Sequence, residues 1–388
     1  MKKVHVALFG SGLGHASRML MVAKALQNKD SVKITFSSSK QGALLARKNG
    51  YPCIDVPCID AGWDENGLSF KKTARNLPFA IRDFFIQIWY EYSFMRKTKP
   101  NLVLSDSRLS ALIASKLLKI KSILITNQVQ VLLPFFVSEK GFWILEKFFG
   151  EIFGSLWALA DEILIPDLPP PYTISEKNLI GLRTLAKRLR YVGFTSNEIR
   201  TDDERLRNVK REIGINEGKP TIFVQISGPE PTKKKFFEAI VSSVKNFDEY
   251  NAIVSLGIPN GSCQPIKRSN FCYFEWCPYN DELFKLADIV VMRAGHVSIS
   301  NAMLNAKPMI LVPIFKHSEQ IENARKVVKL GLGLTIDQRR LNSRSLKHAI
   351  ESILMDERFR KRSEEIRKIS NSYNGMKKIL SIVLEKLK

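Results

Sequence analysis

The stretch Arg293–Asn323, RAGHVSISNAMLNAKPMILVPIFKHSEQIEN, decides the fold. It follows a short apolar run, Ile289–Met292, that reads as a buried strand, and it turns at Gly295. Ser298 and Ser300 stand where a helix starts, Asn301–Asn305 continues it, and Lys307-Pro308 ends it, since proline cannot extend a helix. Met309–Val312 reads as the next buried strand, closed by Pro313 and followed by a polar loop, His317-Ser318-Glu319-Gln320. A glycine turn feeding a helix N-terminus presents free backbone N–H groups and the positive end of the helix dipole, which suits a phosphate. Carboxylate and amide groups in the loop after the second strand reach the same sheet edge, where they suit sugar hydroxyls.

The same alternation extends in both directions. Upstream, Thr221–Ile226 is a strand ending in a second glycine turn, Ser227-Gly228-Pro229. Lys234–Lys245 then reads as a helix, and Ala252–Leu256 and Cys272–Glu275 as strands. At the start of the chain, Val4–Phe9 is a strand leading into Gly10-Ser11-Gly12-Leu13-Gly14-His15. Ala16–Leu26 follows with Met19, Val22, Ala23 and Leu26 on one helical face. Strand and helix signals continue through Val32–Phe36, Lys40–Asn49, Cys53–Val56, Asn101–Leu104, Leu109–Leu118, Ser122–Ile125 and Ile163–Ile165, with residues 60–76 expected as a loop. The pattern predicts an α/β protein of two doubly wound, Rossmann-like domains, and 388 residues is ample for both. The glycines at 10, 12 and 14 do not give the dinucleotide spacing, and Ser37-Ser38-Ser39 replaces the acid expected after the second strand, so a nicotinamide or flavin site is not expected.

Composition narrows the setting. The five cysteines, Cys53, Cys58, Cys263, Cys272 and Cys277, match no zinc spacing and point to a reducing compartment. Met1-Lys2-Lys3 runs directly into a strand without a secretory signal pattern, and no apolar run is long enough to span a membrane. The formal charge of +22 fits an anionic membrane surface or nucleic acid, and also a generally lysine-rich protein. Within Phe79–Met95, Ile81, Phe84, Phe85, Ile88, Tyr92 and Met95 form one helical face, with Lys71, Lys72, Arg75, Arg82, Arg96, Lys97 and Lys99 around it. Leu132–Trp157 adds an apolar loop with Phe135 and Phe136, then a second amphipathic segment. Rings within a basic collar suit a membrane interface; a core helix with a solvated flank is the alternative.

The Arg293–Asn323 stretch resembles the donor-binding signature of GT-B glycosyltransferases, the superfamily of the UDP-glycosyltransferases and the peptidoglycan N-acetylglucosaminyltransferase. Arg293, Gly295, Ser298, Pro308, Pro313, Glu319, Gln320 and Asn323 occupy matching places, and Trp276-Cys277-Pro278 stands like the Trp-x-Pro of the plant form. The resemblance implies that Trp276 stacks on the nucleotide base. It also implies that Ser227-Gly228 and Gly295-His296-Val297-Ser298 carry the diphosphate, and that Glu319 and Gln320 hold the donor sugar, with Arg293 beside them. Asn301 replaces the Glu that the family uses on the ribose, which leaves the donor nucleotide open. In the first domain the Gly12/Gly14 loop and Asn127 would lie on the acceptor side. His15 matches the family's general base, and Asp106, at the end of a strand, matches the acid that orients it; Asp106 as a simple helix cap is the alternative.

The resemblance implies an inverting transferase that moves a hexose such as N-acetylglucosamine from a nucleotide diphosphate sugar, UDP-linked by family. The expected acceptor is a membrane lipid or lipid-linked sugar. The chain has no Asp-x-Asp, so neither a catalytic metal nor a cofactor is expected. The expected domains are 1–193 for the acceptor, 194–365 for the donor, and a 366–388 helix returning to the first domain. The expected setting is the cytoplasmic face of the membrane, peripherally bound, without nucleic acid. A UDP-sugar 2-epimerase, a nucleic-acid-binding protein and a non-catalytic membrane subunit remain as alternatives.

Overall fold

The computed structural model describes residues 1–10, 13–28, 32–59, 62–129, 154–179, 185, 187–196, 201–258, 260–268 and 271–388. Most of the Leu132–Trp157 segment, with Phe135 and Phe136, lies outside the described residues, as does Gly12. The chain runs β1 (Lys2–Leu8), α1 (Leu13–Gln27), β2 (Val32–Ser38), α2 (Lys40–Lys48) and β3 (Cys53–Asp55). Next come β4 (Trp63–Asp64), β5 (Gly67–Leu68), α3 (Phe70–Thr98), β6 (Leu102–Asp106), α4 (Leu109–Leu117) and β7 (Lys121–Ile125). Further on lie β8 (Glu162–Ile165), α5 (Glu176–Leu179), β9 (Leu189–Tyr191) and α6 (Asp203–Ile213). The second half holds β10 (Thr221–Gln225), α7 (Glu230–Val244), β11 (Asn251–Ser255), β12 (Ile266–Lys267), β13 (Phe271–Phe274) and α8 (Asn280–Leu286). It continues with β14 (Ile289–Met292), α9 (His296–Leu304), β15 (Met309–Leu311), α10 (Ser318–Lys329) and β16 (Gly333–Thr335). Three helices close the chain: α11 (Ser343–Met355), α12 (Glu357–Ser372) and α13 (Gly375–Leu387).

Two compact units result. The first comprises Met1–Gly62, Ser69–Ser196 and Tyr373–Lys388; the second comprises Trp63–Leu68 and Asn197–Ser372. The first unit's sheet has the order β3-β2-β1-β6-β7-β8-β9 with every pairing parallel. Its inner strands β1, β6, β7 and β8 are buried over most of their length because helices cover both faces. Met19, Val22, Ala23 and Leu26 of α1 pack with Val4, Val6 and Leu8 of β1 and with Ile379, Ile382 and Val383 of α13. The helix at the C-terminus is therefore part of the first unit's core.

The second unit repeats the plan in the order β12-β13-β11-β10-β14-β15-β16, with only the β12–β13 pair antiparallel. Phe236, Ile240 and Val244 of α7 and Leu346 and Ile350 of α11 join the sheet's buried residues in one core. In each unit the strand order reverses beside the first strand: between β1 and β6, and between β10 and β14. Chain ends diverge at such a point and leave a crevice beyond the carboxyl ends of the strands, where doubly wound folds bind ligands.

Three local expectations change. Residues 60–76 are not a plain loop: β4 and β5 pair as an antiparallel hairpin, and α3 begins at Phe70 and carries Pro78 within it. A proline costs a helix one hydrogen bond; Ala74, whose carbonyl loses its donor, is exposed and accessible to water. The hairpin groups with the second unit although its sequence lies in the first half. Residues 366–372 stay with the second unit, because α12 packs on α9 there, and only the chain from Tyr373 returns to the first.

Candidate active site

In the first unit, β1 and β6 deliver their C-terminal ends side by side, with Leu8 in register with Asp106. His15 stands in the first turn of α1, just beyond the glycine turn after β1. Its Nδ1 lies 2.8 Å from Asp106 Oδ1, and the ring meets Phe9 edge-on at 5.5 Å. Asp106 is fully buried, while the His15 side chain keeps 28% of its surface exposed. With Nδ1 committed to the carboxylate, Nε2 is the ring nitrogen left to accept a proton.

Asp106 does not cap α4: Arg108 holds that position, without a side-chain cap. Its carboxylate faces α1 instead. Arg18, one turn along from His15, donates to it twice, from Nε at 2.9 Å and Nη2 at 2.6 Å. Burial alone would raise the Asp106 pKa, but the adjacent Arg18 guanidinium and then His15 outweigh it and hold the carboxyl at about 2. Arg18 is itself 1% exposed. The arrangement is a His–Asp–Arg cluster. The i, i+3 spacing of His15 and Arg18 was the available sequence signal for the arginine. Gly14 lies in the first turn of α1, and Asn127 just past the end of β7, the strand beside β6.

A second buried cluster supports this edge from behind. Glu91 of α3 bonds His5 of β1 at 2.9 Å and accepts from Arg108 Nη2 at 2.9 Å and from Ser37 Oγ at 2.6 Å. Arg108 in turn donates to the Leu8 carbonyl at 3.1 Å. The inner face of α3 is thus tied to β1, to β2 and, through Arg108, to the segment that follows Asp106.

In the second unit, β10 and β14 end side by side, with Gln225 opposite Met292, and each feeds a helix through a glycine turn. Gly228 adopts φ +116°, a conformation that side chains resist, which sets the turn into α7. Gly295 caps α9, and space lies open where its Cβ would stand. Two helix N-termini therefore share one sheet edge, an arrangement suited to a diphosphate. Val297, Ser298 and Asn301 share the half-exposed face of α9. Ser298 Oγ donates to Gln225 Oε1 at 2.8 Å, and Gln225 Nε2 donates to Asn280 Oδ1 at 3.0 Å. Gln225 and Asn280 leave no mark in the sequence, since single amides at strand and helix ends carry no pattern. Trp276 follows β13 and is half-buried. Glu319 and Gln320 open α10; Gln320 is buried and accepts from the Ile314 amide at 3.0 Å, while Glu319 is half-exposed.

This doubly wound pair, with its signature on the second sheet, can be compared with known proteins. Residues 232–379 match the glycosyltransferase family 28 C-terminal domain. A Methanosarcina acetivorans protein named as an uncharacterized glycosyltransferase is 26% identical over 98% of this chain and 97% of its own. The crystal structure of the glycotransferase of kitacinnamycin aligns with a TM-score of 0.67 at 16% identity, covering 100% of this chain and 99% of that one. The chain is a glycosyltransferase of the GT-B fold. A Streptococcus gordonii UDP-N-acetylglucosamine–N-acetylmuramyl-(pentapeptide) pyrophosphoryl-undecaprenol N-acetylglucosamine transferase is 33% identical over 102 residues, 24% of this chain and 29% of that protein.

Two residues of this glycosyltransferase's signature are more deeply placed than the sequence implies. Arg293 is 1% exposed; its Nη1 donates to the Val312 carbonyl at 2.9 Å and to Gln338 Oε1 at 2.8 Å, and its guanidinium lies 3.9 Å from the Phe236 ring centroid. Burial lowers its pKa to about 9. Its side chain braces the loop after β15 and does not reach the open edge. His296 is likewise buried in the first turn of α9. Glu319 stays at the surface. Glu319→Ala is expected to raise the donor KM or lower kcat while shifting the melting temperature little, because a half-exposed first-turn carboxylate adds only about 0.5 kcal/mol. Normal kinetics with a large fall in melting temperature would make it structural.

Proposed function

We propose that this glycosyltransferase transfers a hexose, with inversion, from a UDP-linked or similar nucleotide sugar to a lipid or lipid-linked acceptor at an anionic membrane surface. In this reading His15 Nε2 takes the acceptor hydroxyl proton as the oxygen attacks the anomeric carbon. Asp106 keeps the imidazole in the productive tautomer and stabilises its positive charge. The departing nucleotide diphosphate carries away the bonding electrons, and the amides opening α7 and α9 receive its negative charge. Trp276 stacks on the base, and Glu319 and Gln320 hold the sugar. This chemistry asks for no cofactor and no catalytic metal.

One observation carries the lipid acceptor. Leu77, Ile81, Phe85 and Trp89 of α3, each four residues after the last, are 56%, 52%, 65% and 67% exposed. Phe79 and Tyr90 flank this stripe, and Lys71, Lys72, Arg75, Arg82, Arg96 and Lys97 are exposed along the same helix. Of the two readings open to the sequence, the outer face fits the interfacial one and the inner face, with Glu91 and Met95 buried, the core one. A stripe of this kind inserts among headgroups while each nearby cation adds about 1 kcal/mol toward anionic lipid. No described helix is long and apolar enough to cross a membrane. The match to the Streptococcus gordonii transferase, whose name includes an undecaprenol-linked acceptor, supports the same class.

The test pairs transfer with binding. Purified protein given labelled UDP-N-acetylglucosamine, other nucleotide sugars and membrane lipid extract should move label into the organic phase. It should float with anionic liposomes, less with neutral ones, and detach partly at high salt. A Phe85→Ser/Trp89→Ser variant should lose most flotation at an unchanged melting temperature. Failure of the native protein to float at low salt would remove the lipid acceptor and leave a soluble one; a C2-epimerised product would replace transfer altogether.

A further inference from the structure

The β4–β5 hairpin stands out because its sequence lies between β3 and α3 while its contacts lie in the second unit. Gly67 bridges to Phe315, in the loop between β15 and α10. A Cβ on Gly67 would fall 2.1 Å from the Phe315 carbonyl oxygen, and its φ is +145°, so the hairpin seats through a glycine. Asn66 takes a hydrogen bond from Lys235 Nζ of α7 at its side chain and one from Gln338 Nε2, at 3.1 Å, at its carbonyl. Gln338 is the amide that accepts from Arg293. A relay Arg293–Gln338–Asn66 therefore joins the start of the donor signature to the hairpin.

The seat places one aromatic ring beside the sugar-holding loop. The Trp63 indole lies 5.4 Å from the His317 ring at an interplanar angle of 33°. His317 is the N-cap of α10 and immediately precedes Ser318-Glu319-Gln320. Burial lowers the His317 pKa, against the nearby Glu319 charge, so at neutral pH this partner is an uncharged ring. An indole plane beside a carboxylate and an amide is the chemistry that holds a pyranose: the ring covers the sugar's C–H face and the polar groups take its hydroxyls. The same loop runs close to the Gly228 turn: a Cβ on Gly228 would stand 3.1 Å from Ile314 Cδ1.

We infer that the Trp63–Leu68 hairpin is a wall of the donor-sugar subsite and that Trp63 selects the sugar. The inference rests on the nucleotide-sugar donor proposed above. A ring that touches the sugar and not the nucleotide affects the two ligands differently, which a titration reads directly.

Nucleotide sugars carrying UDP, GDP or dTDP are titrated calorimetrically, each beside its free nucleotide diphosphate, against the native protein, Trp63→Ala, Trp63→Phe and Gln338→Ala. For the tightest nucleotide sugar, Trp63→Ala should weaken binding roughly five- to tenfold, in the range of one aromatic contact. The matching free diphosphate should bind within about twofold of the native protein. Trp63→Phe should recover most of the loss, and Gln338→Ala, which loosens the hairpin while keeping the ring, should show a smaller loss in the same direction. Equal weakening of both ligands, no weakening of either, or a change confined to the acceptor KM overturns the inference while the donor reading stands. A native protein that binds none of the nucleotide sugars removes the donor reading, and this inference with it.

Discussion

His15→Ala is expected to reduce sugar transfer roughly 10²–10⁴-fold, the usual contribution of a positioned general base, while nucleotide-sugar binding stays within about twofold. The expectation follows from location. His15 belongs to the first unit, at the edge it shares with Asp106, whereas the two glycine turns and Glu319 belong to the second. The ring is partly exposed, so its loss leaves the surrounding core intact. Steady-state kinetics with binding measured separately decide the matter. Weakened donor binding with unchanged turnover would reject the role of base.

Asp106→Asn is expected to lower both activity and stability, because Asp106 serves two partners. An amide still holds His15 but lacks the charge that stabilises the protonated ring, so kcat should fall, though by less than in His15→Ala. It also leaves the buried Arg18 guanidinium uncompensated, and breaking a buried pair in this way costs roughly 3–5 kcal/mol. Adding Arg18→Met to Asp106→Asn should recover part of the melting temperature without recovering activity, since the stranded charge is gone while the base remains unsupported. The pH dependence has a definite sign. The Asp106 carboxyl is held at about 2, below the 3.8 usual for an aspartate. The stability it contributes is therefore fully present above about pH 4 and is lost as the pH falls toward 2. Thermal melts of native and variant proteins across that window should converge at the acid end. Equal melting temperatures at neutral pH would show that the Arg18 contact is energetically idle.

The apolar run Ile289–Met292 and the mainly apolar Val4–Phe9, with glycine turns after each, set the fold class, because a parallel strand covered on both faces reads as a largely apolar run. The helix after Gly295, its end at Lys307-Pro308 and the strand at Met309 followed from the same local rules. The 60–76 segment did not yield to them: two two-residue strands are too short to show an alternation, and Pro78 hides a helix that its surroundings sustain.

The sequence by itself determined two doubly wound units, the strand-end positions of His15 and Asp106, and the aromatic and basic composition of α3. These depend on backbone preference and short-range pattern, which neighbouring residues carry. Tertiary structure alone decided that His15, Arg18 and Asp106, the last 88 residues beyond Arg18, form one hydrogen-bonded cluster. It also decided that Arg293 turns inward to Gln338, that Glu91 braces the first unit's edge through Arg108, and that Trp63 rests on His317. Partners so distant in sequence are chosen by strand order and by the need to compensate each buried charge, and neither constraint leaves a local mark on the chain.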